Sequence, residues 1–536
     1  MYDYIIVGAG SSGCLLANRL SEDPGNQVLL FEAGKPDKDP LIKIPGAYGK
    51  LFKRPFDWGY YTEPQEHVNE RKLYIPRGKT LGGSSSTNAM AYVRGNKADY
   101  DHWASLGNEG WAFDEVLPYF KRSEDIQHPG QVDEGYHGSK GELSVNFNEH
   151  FQSPYMDPFI QAGANWGLPK FSDYNGKSQK GVGRFQFTIK NGARHSSATA
   201  FLKPVMGRNN LTVRTGAHVE KIEFKDQKAS GVWIAKKGGN SELISASKEV
   251  ILSAGAIDSP RILLRSGIGA KDELMSLDID VIRELPGVGK NLQDHLFYSV
   301  SSKASVPGGL NPVISPGRQL KELVKYLFGR KGALSIGPLE AVAFFNLNDP
   351  GREDCDFQFH FAPLHIGKGY DYDVYDLSTY PRSDGYTILP SLLHPKSRGH
   401  VGLKSKDAFA DPLIQPNFLS EEADLQALIE GGKIAYEWLQ DPVFDHCREE
   451  MVAPMDTSSD EAWAEHVRNS LETIYHPVGT CKMGKDELAV VDQNLNVHGL
   501  ERLRVVDASV MPTIMTGNTN APCYMIAEKA ADLILQ

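Results

Sequence analysis

Asp3-Tyr4-Ile5-Ile6-Val7-Gly8-Ala9-Gly10-Ser11-Ser12-Gly13 opens this chain. Its apolar, β-branched beginning reads as a strand buried in a parallel sheet, and it runs without a spacer into G-x-G-x-x-G. That order is a strand turning sharply into a helix. Gly8 permits the tight turn, Gly10 lets a pyrophosphate approach the backbone, and Gly13 lets the helix lie close on the sheet. The phosphate charge then falls at the helix N-terminus, beside Ser11 and Ser12. Further on, Gln27-Val28-Leu29-Leu30-Phe31 reads as a second strand that ends in Glu32 and Ala33. A carboxylate about 20 residues beyond the last glycine can hydrogen-bond a ribose hydroxyl, which argues against a 2′-phosphate. The bland alternative for a lone glycine pattern is an ordinary turn. Strand, helix pattern and acid together favour an adenine dinucleotide, NAD or FAD.

Composition bounds the rest. With 536 residues and 40% hydrophobic content, the chain can bury a large core and is too long for one simple domain. The net charge is −11, from 57 basic and 68 acidic residues, without a lysine or arginine block, so nucleic acid is not an expected partner. Cys14, Cys355, Cys447, Cys481 and Cys523 lack CxxC spacing. They read as small buried hydrophobes in a reducing compartment, with no disulfide framework and no metal site. The glycine motif begins within ten residues of Met1 and no apolar stretch is long enough to span a bilayer, so a cytoplasmic protein is expected. Leu320, Leu323, Val324 and Leu327 make an apolar stripe near Lys321, Lys325, Arg330 and Lys331. Peripheral membrane contact is one reading of it. The favoured reading is a helix that packs its leucines inward.

Two more segments are rich in glycine and small residues. One is Gly78-Lys79-Thr80-Leu81-Gly82-Gly83-Ser84-Ser85-Ser86-Thr87-Asn88, followed by Tyr92-Val93-Arg94-Gly95; by composition alone it is a Ser/Gly loop. The other, Gly255 to Gly269, follows the strand-like Val250-Ile251-Leu252 and reads as a helix with Pro260 near its start. Near the end stand Tyr475-His476-Pro477-Val478-Gly479-Thr480 and Thr519-Asn520-Ala521-Pro522.

With these segments in this order, the chain resembles the glucose-methanol-choline (GMC) family of FAD-dependent oxidoreductases, and within it the bacterial choline-dehydrogenase-like alcohol dehydrogenases. The resemblance covers essentially the whole chain. It implies an α/β fold, α+β overall, in which a Rossmann-like FAD-binding domain carries a second substrate domain built on an antiparallel sheet flanked by helices. Residues 1–155, 200–310 and 465–536 are expected to form the FAD domain, and 156–199 and 311–464 the substrate domain. Phe357-Gln358-Phe359-His360-Phe361 and Tyr386-Thr387-Ile388-Leu389 read as strands of the latter. The resemblance also places Gly82, Gly83, Ser84 and Asn88 on the flavin, the Val219 backbone at the adenine, and Asp507 and Ala508 near the pyrophosphate and ribityl chain. Asp507 reads equally well as a helix N-cap. Thr87 stands where some relatives carry a histidine bonded to the flavin, so the FAD is expected to be non-covalent. Gly289-Lys290-Asn291-Leu292-Gln293-Asp294-His295 matches the family too, without a chemical argument for it, and reads as structural.

Alcohol oxidation needs a base, because hydride loss from a neutral alcohol leaves a poorly stabilised cation. His476 suits the task, since an imidazole of pKa about 6.5 is a neutral acceptor near neutral pH. Asn520 is expected to donate to the substrate oxygen as charge develops there. A satisfied structural histidine and a cap or turn asparagine are the alternatives, and only the family motif reverses that weighting for His476. The expected reaction is oxidation of a primary alcohol to an aldehyde by hydride transfer to flavin N5, with oxygen or a quinone-type compound as electron acceptor. The alternatives are choline dehydrogenation, an oxygen-using alcohol oxidase, a redox-neutral lyase or photodecarboxylase, and an inactive binding protein. Tyr370, Tyr372, Tyr375 and Tyr380 among Asp371, Asp373 and Asp376 suggest a choline-type cation site. A polar, exposed loop is the favoured reading of that stretch.

Overall fold

In the computed structural model, which describes residues 1–147, 150–349, 351–370 and 372–536, the opening run forms the strand Tyr2–Val7 at the centre of a parallel sheet. Val28–Glu32 pairs with it on one side and Glu242–Leu252 on the other, with Leu211–Thr215 and Leu503–Val505 outside them. The register aligns Val7 with Phe31 and Leu252, and Leu252 with Val505. All these strands therefore end at one edge, and the residues that follow them converge there: Gly8, Ala33, Ser253 and Asp507. The carboxyl edge of a doubly wound sheet is where such folds bind ligands. Tyr4, Ile5, Ile6 and Val7 are buried, as a strand covered on both faces requires. Glu242–Leu252 is long enough to serve twice, since its first residues pair antiparallel with Lys228–Ala235, which in turn pairs with His218–Lys225.

A second sheet of six strands is antiparallel throughout, in the order Arg448–Ala453, Val300–Ala304, Gly385–Leu392, Phe357–Ala362, Ala341–Phe345, Gly181–Arg184. Val300–Ala304, which the sequence division leaves with the first unit, is an inner strand of this sheet. Period-two alternation sorts its faces. Phe357, Phe359 and Phe361 enter a core with Trp438 and Phe159 from the helices Glu422–Gln440 and Met156–Asn165. His360 and Ala362 face the opposite way, onto the cavity described below.

Two local expectations change. Pro260 lies inside the helix Gly255–Arg265, not near its start. A proline there leaves the Ala256 carbonyl without its helical N–H donor, and the Thr480 hydroxyl donates to that oxygen instead at 2.6 Å. The stripe at 320–327 does form a helix, Pro316–Gly329, but Leu320, Val324 and Leu327 point outward and Tyr326 is its buried residue. All five cysteines are buried. Among the described residues, no helix is long and apolar enough to cross a membrane.

Candidate active site

One cavity of about 350 Å³ runs from the glycine turn at the carboxyl edge of the parallel sheet to the inner face of the antiparallel sheet. At its first end the three glycines have separate tasks. Gly8 has φ +102°, and a methyl group there would lie 2.5 Å from the Ser253 carbonyl oxygen. A methyl at position 13 would lie 1.9 Å from the Gly8 oxygen, so the helix Ser11–Leu20 can sit on its own turn only with glycine there. Gly10 is different: its nearest neighbour would be 3.9 Å away, and it opens to the cavity. No side chain caps this helix at Gly10, so its first N–H groups face a space suited to an anion. Ser11 and Ser12 line the same end.

Glu32 lines the cavity with both oxygens engaged, one accepting from Ala9 N (3.1 Å) and the other from Gly34 N (2.8 Å). Burial raises its pKa to about 7 against these two bonds. Ala33, Gly83, Ser84, Asn88, Val219, Asp507 and Ala508 also line the cavity, whereas Gly13 and Gly82 support the wall from behind. Asp507 is saturated by protein donors: Gly255 N (2.8 Å) and Ser259 Oγ on one oxygen, Ser509 N (2.8 Å) and Oγ (2.6 Å) on the other. It caps the turn Ala508–Val510 and ties down the start of the helix Gly255–Arg265. The Asn88 carboxamide oxygen accepts from Met90 N (3.0 Å) and Arg194 Nη1 (2.8 Å).

Two buried groups in this wall lack a partner among the described residues, Arg265 Nη1 and Ser253 Oγ. A buried donor left unmade is costly. An uncapped helix start, an orphaned guanidinium N–H and an open Gly10 together fit the phosphates and hydroxyls of an adenine dinucleotide.

His476 stands toward the other end. Tyr475 before it adopts φ +71°, a strained value for an aromatic residue, and two contacts hold the turn. Arg77 Nη2 donates to the Tyr475 carbonyl (2.6 Å), and the His476 amide donates to Asp294 Oδ1 (2.7 Å). A chain of hydrogen bonds then fixes the imidazole. His295 Nε2 lies 2.9 Å from the Leu393 carbonyl, which can only accept, so the proton of His295 is on Nε2. Burial depresses the pKa of His295 to about 3, so its Nδ1 carries a lone pair. That nitrogen faces His476 Nδ1 at 3.0 Å, which places the His476 proton on Nδ1 and leaves Nε2 as the bare nitrogen. Burial first, then the neighbouring His295, His360 and Arg77, hold the His476 pKa well below its ordinary value.

The carboxamide opposite that bare nitrogen belongs to Asn518, whose Nδ2 donates to His476 Nε2 at 3.1 Å. Asn520 does not meet His476. It is the first residue of the helix Asn520–Leu535, and its Nδ2 donates to Ser11 Oγ (2.7 Å) at the glycine turn. The local difference is the helix start between them: Thr519, at φ −92° and ψ 0°, is the N-cap, so Asn520 is the first helical residue and Asn518 still belongs to the segment before it. Sequence reasoning missed Asn518, Asp294 and His295. Pro522 was the available signal, because a proline belongs in a first helical turn and puts Asn520 inside it.

The far end of the cavity is mostly apolar, with Phe297, Leu339, Leu364, Ile366 and Leu389 beside His360 and Thr387. The His360 ring is buried there, and burial lowers its pKa to about 3. The 370–380 stretch is a polar, exposed loop only in part: Tyr370, Asp376, Ser378 and Thr379 are exposed, while three of its tyrosines turn inward. Tyr372 and Tyr380 line the cavity, and Tyr375 packs edge-on against Tyr74 with ring centres 4.6 Å apart and donates to Glu472 (3.1 Å). Large rings gain by burial when their hydroxyls find acceptors. Asp373 pairs with Lys53 (2.9 Å), and Asp371 lies outside the described residues.

Family models described as GMC oxidoreductase match residues 2–297 and 395–527. The chain is 45% identical to an alcohol dehydrogenase [acceptor] of Pseudomonas putida, over 100% of this chain and 96% of that protein. It is 41% identical to the oxygen-dependent choline dehydrogenase of Escherichia coli K12, over 99% and 95%. Among solved structures, pyridoxine 4-oxidase from Mesorbium loti superposes with a TM-score of 0.90 at 32% identity, covering 99% of both chains. A formate oxidase of Aspergillus oryzae RIB40, in a study of its FAD modification, gives 0.91 at 29%, covering 99% and 98%.

Proposed function

The chain belongs to the GMC oxidoreductase family and is an FAD-dependent alcohol-oxidising enzyme, and we propose that His476 and Asn518 together carry the reaction on a neutral, apolar primary alcohol. The observation that carries this reading is the bare Nε2 of His476 facing the Asn518 amide in the cavity that reaches the glycine turn.

Bound FAD supplies the acceptor for the hydride leaving the alcohol carbon. The protein's part is the proton and the charge. His476 Nε2 takes the hydroxyl proton, and its tautomer is prepared in advance by His295. The Asn518 N–H that meets Nε2 turns to the substrate oxygen as negative charge builds there. The aldehyde leaves through the apolar end. Gly8, Gly10, Ser11, Ser12, Glu32, Ala33, Gly83, Ser84, Asn88, Val219, Asp507 and Ala508 form the cofactor's wall, backed by Gly13, Gly82 and Asn520. Threonine at position 87 offers no imidazole for a covalent flavin bond, so the cofactor is held by contacts alone. The two-domain division read from the sequence is retained, with the strand Val300–Ala304 moved to the substrate domain.

Substrate choice follows from the wall. Its carboxylates among the described residues are Glu32, Asp57, Asp258 and Asp507. All have protein donors: Asp57 accepts from Lys53 N and Arg77 N, and Asp258 from Tyr60 and Arg261. Asp258 is ion-paired with Arg261, Asp57 lies beside Arg77, and Glu32 and Asp507 stand on the cofactor's wall, so the apolar end offers no unpaired carboxylate as counter-ion to a quaternary ammonium, which favours an uncharged alcohol over choline. Anaerobic mixing with a panel of alcohols tests this. Flavin absorbance should bleach with medium-chain primary alcohols and bleach slowly with choline; the reverse order overturns the substrate assignment. Reoxidation by a quinone faster than by oxygen would mark a dehydrogenase rather than an oxidase.

A further inference from the structure

We propose that the outward face of the helix Pro316–Gly329 is a docking surface for an anionic lipid bilayer. The helix is amphipathic in the wrong sense for a soluble surface. Its inward residues are Gln319, Glu322, Leu323 and Tyr326, and two of them spend their polar groups on the body of the protein: Gln319 Nε2 donates to the Ile314 carbonyl (2.7 Å), and Glu322 accepts from Ala333 N (2.9 Å). Outward, at i, i+4, i+7 and i+8, stand Leu320, Val324, Leu327 and Phe328. Leu320 is 63% exposed, Leu327 61% and Phe328 90%. Single exposed leucines are ordinary. Four large apolar side chains along about 12 Å of one helix face mark an interaction surface.

Charge decides what covers it. Between 316 and 331 the chain carries Arg318, Lys321, Lys325, Arg330 and Lys331 against one carboxylate, Glu322, in a protein whose net charge is −11. That carboxylate is already paired with Lys325. Lys50 adds to the patch from the neighbouring segment, where its Nζ donates to Gln319 Oε1 (3.0 Å). A second copy seated symmetrically would set these cations against their own duplicates. Anionic headgroups complement them, while the four apolar side chains reach the acyl boundary, the geometry of an interfacial helix. The segment Pro45–Lys50 that touches this helix continues into Leu51 and Phe52, and with Tyr48 these residues line the cavity. Docking therefore brings one wall of the cavity near the lipid, the phase in which an apolar alcohol and a quinone are concentrated.

The inference goes beyond the proposed reaction, and its test does not use turnover. The flavin-loaded enzyme is sedimented with vesicles of phosphatidylcholine and of phosphatidylcholine doped with phosphatidylglycerol, at low and high salt. Binding is expected to the doped vesicles, weakened by salt, and reduced about tenfold or more by Lys321→Glu/Lys325→Glu. Leu327→Ser/Phe328→Ser should reduce it similarly. Both variants alter exposed positions, and unchanged flavin absorbance and circular dichroism confirm their fold. Equal sedimentation of wild type and variants, or none by either, overturns the proposal. So does a lipid-free dimer that the same substitutions dissolve, because the face would then belong to a second copy.

Discussion

His295 and His476 meet through their Nδ1 atoms at 3.0 Å, a contact that requires one lone pair and one proton. The Leu393 carbonyl on the far side of His295 decides which ring holds which. His295→Leu should therefore keep bound flavin and lose on the order of 10² to 10⁴ in the rate of flavin reduction, the scale seen when an imidazole loses control of its tautomer. His295→Asn, which can offer a carbonyl acceptor, should recover part of it. Rapid mixing with alcohol measures both rates, and equal losses in the two variants would point to packing rather than proton placement.

The pH profile follows from the surroundings of the same ring. Burial, with His295, His360 and Arg77 nearby, lowers the His476 pKa well below the ordinary value of about 6.5. The base works deprotonated, so a lowered pKa moves the loss of activity to more acid conditions. kcat/KM should stay level from neutrality down past about 6.5 and fall only below it. An acid limb centred at or above that value would contradict the assignment.

The glycine turn predicts two unlike outcomes from one chemical change. Gly13→Ala forces a methyl to 1.9 Å from the Gly8 oxygen and should destabilise the fold by about 1–3 kcal/mol or more. Gly10→Ala meets nothing closer than 3.9 Å, so the chain should fold with a stability change within about 0.5 kcal/mol. Its methyl then stands where the cofactor approaches, and the purified variant should be depleted in flavin. Denaturation and absorbance measurements separate the two; a yellow, fully loaded Gly10→Ala protein would remove Gly10 from the cofactor's path.

Threonine at position 87 offers no imidazole for a covalent link, so acid precipitation of the wild type should leave the flavin in the supernatant. Colour retained on the pellet would show a covalent bond formed elsewhere.

The parallel sheet was legible because each of its signals is local. A β-branched run, a glycine pattern and an acid at the next strand end are all fixed within the first 33 residues, and the structure keeps them in register. His476, which we propose as the base, stood out by its motif. Its setting was not legible, because His295 and Asp294 meet His476 across some 180 positions of chain, and no spacing rule reports such a contact. Asn518 and Asn520 are separated only by the N-cap Thr519, one standing before the last helix and the other opening it, a boundary the motif does not mark. The stripe at 320–327 was legible as a helix, but which way a moderately amphipathic helix turns depends on what the rest of the fold offers it.

The central claim is the pairing of His476 with Asn518, and single-turnover flavin reduction in Asn518→Ala and Asn520→Ala, with a medium-chain primary alcohol under anaerobic conditions, tests it most directly. Asn518→Ala should bleach on the order of 100-fold more slowly than wild type. Asn520→Ala, which loses a bond to Ser11 at the glycine turn, should bleach at close to the wild-type rate per bound flavin while holding the cofactor less firmly. A slow Asn520→Ala beside an unimpaired Asn518→Ala would contradict the account.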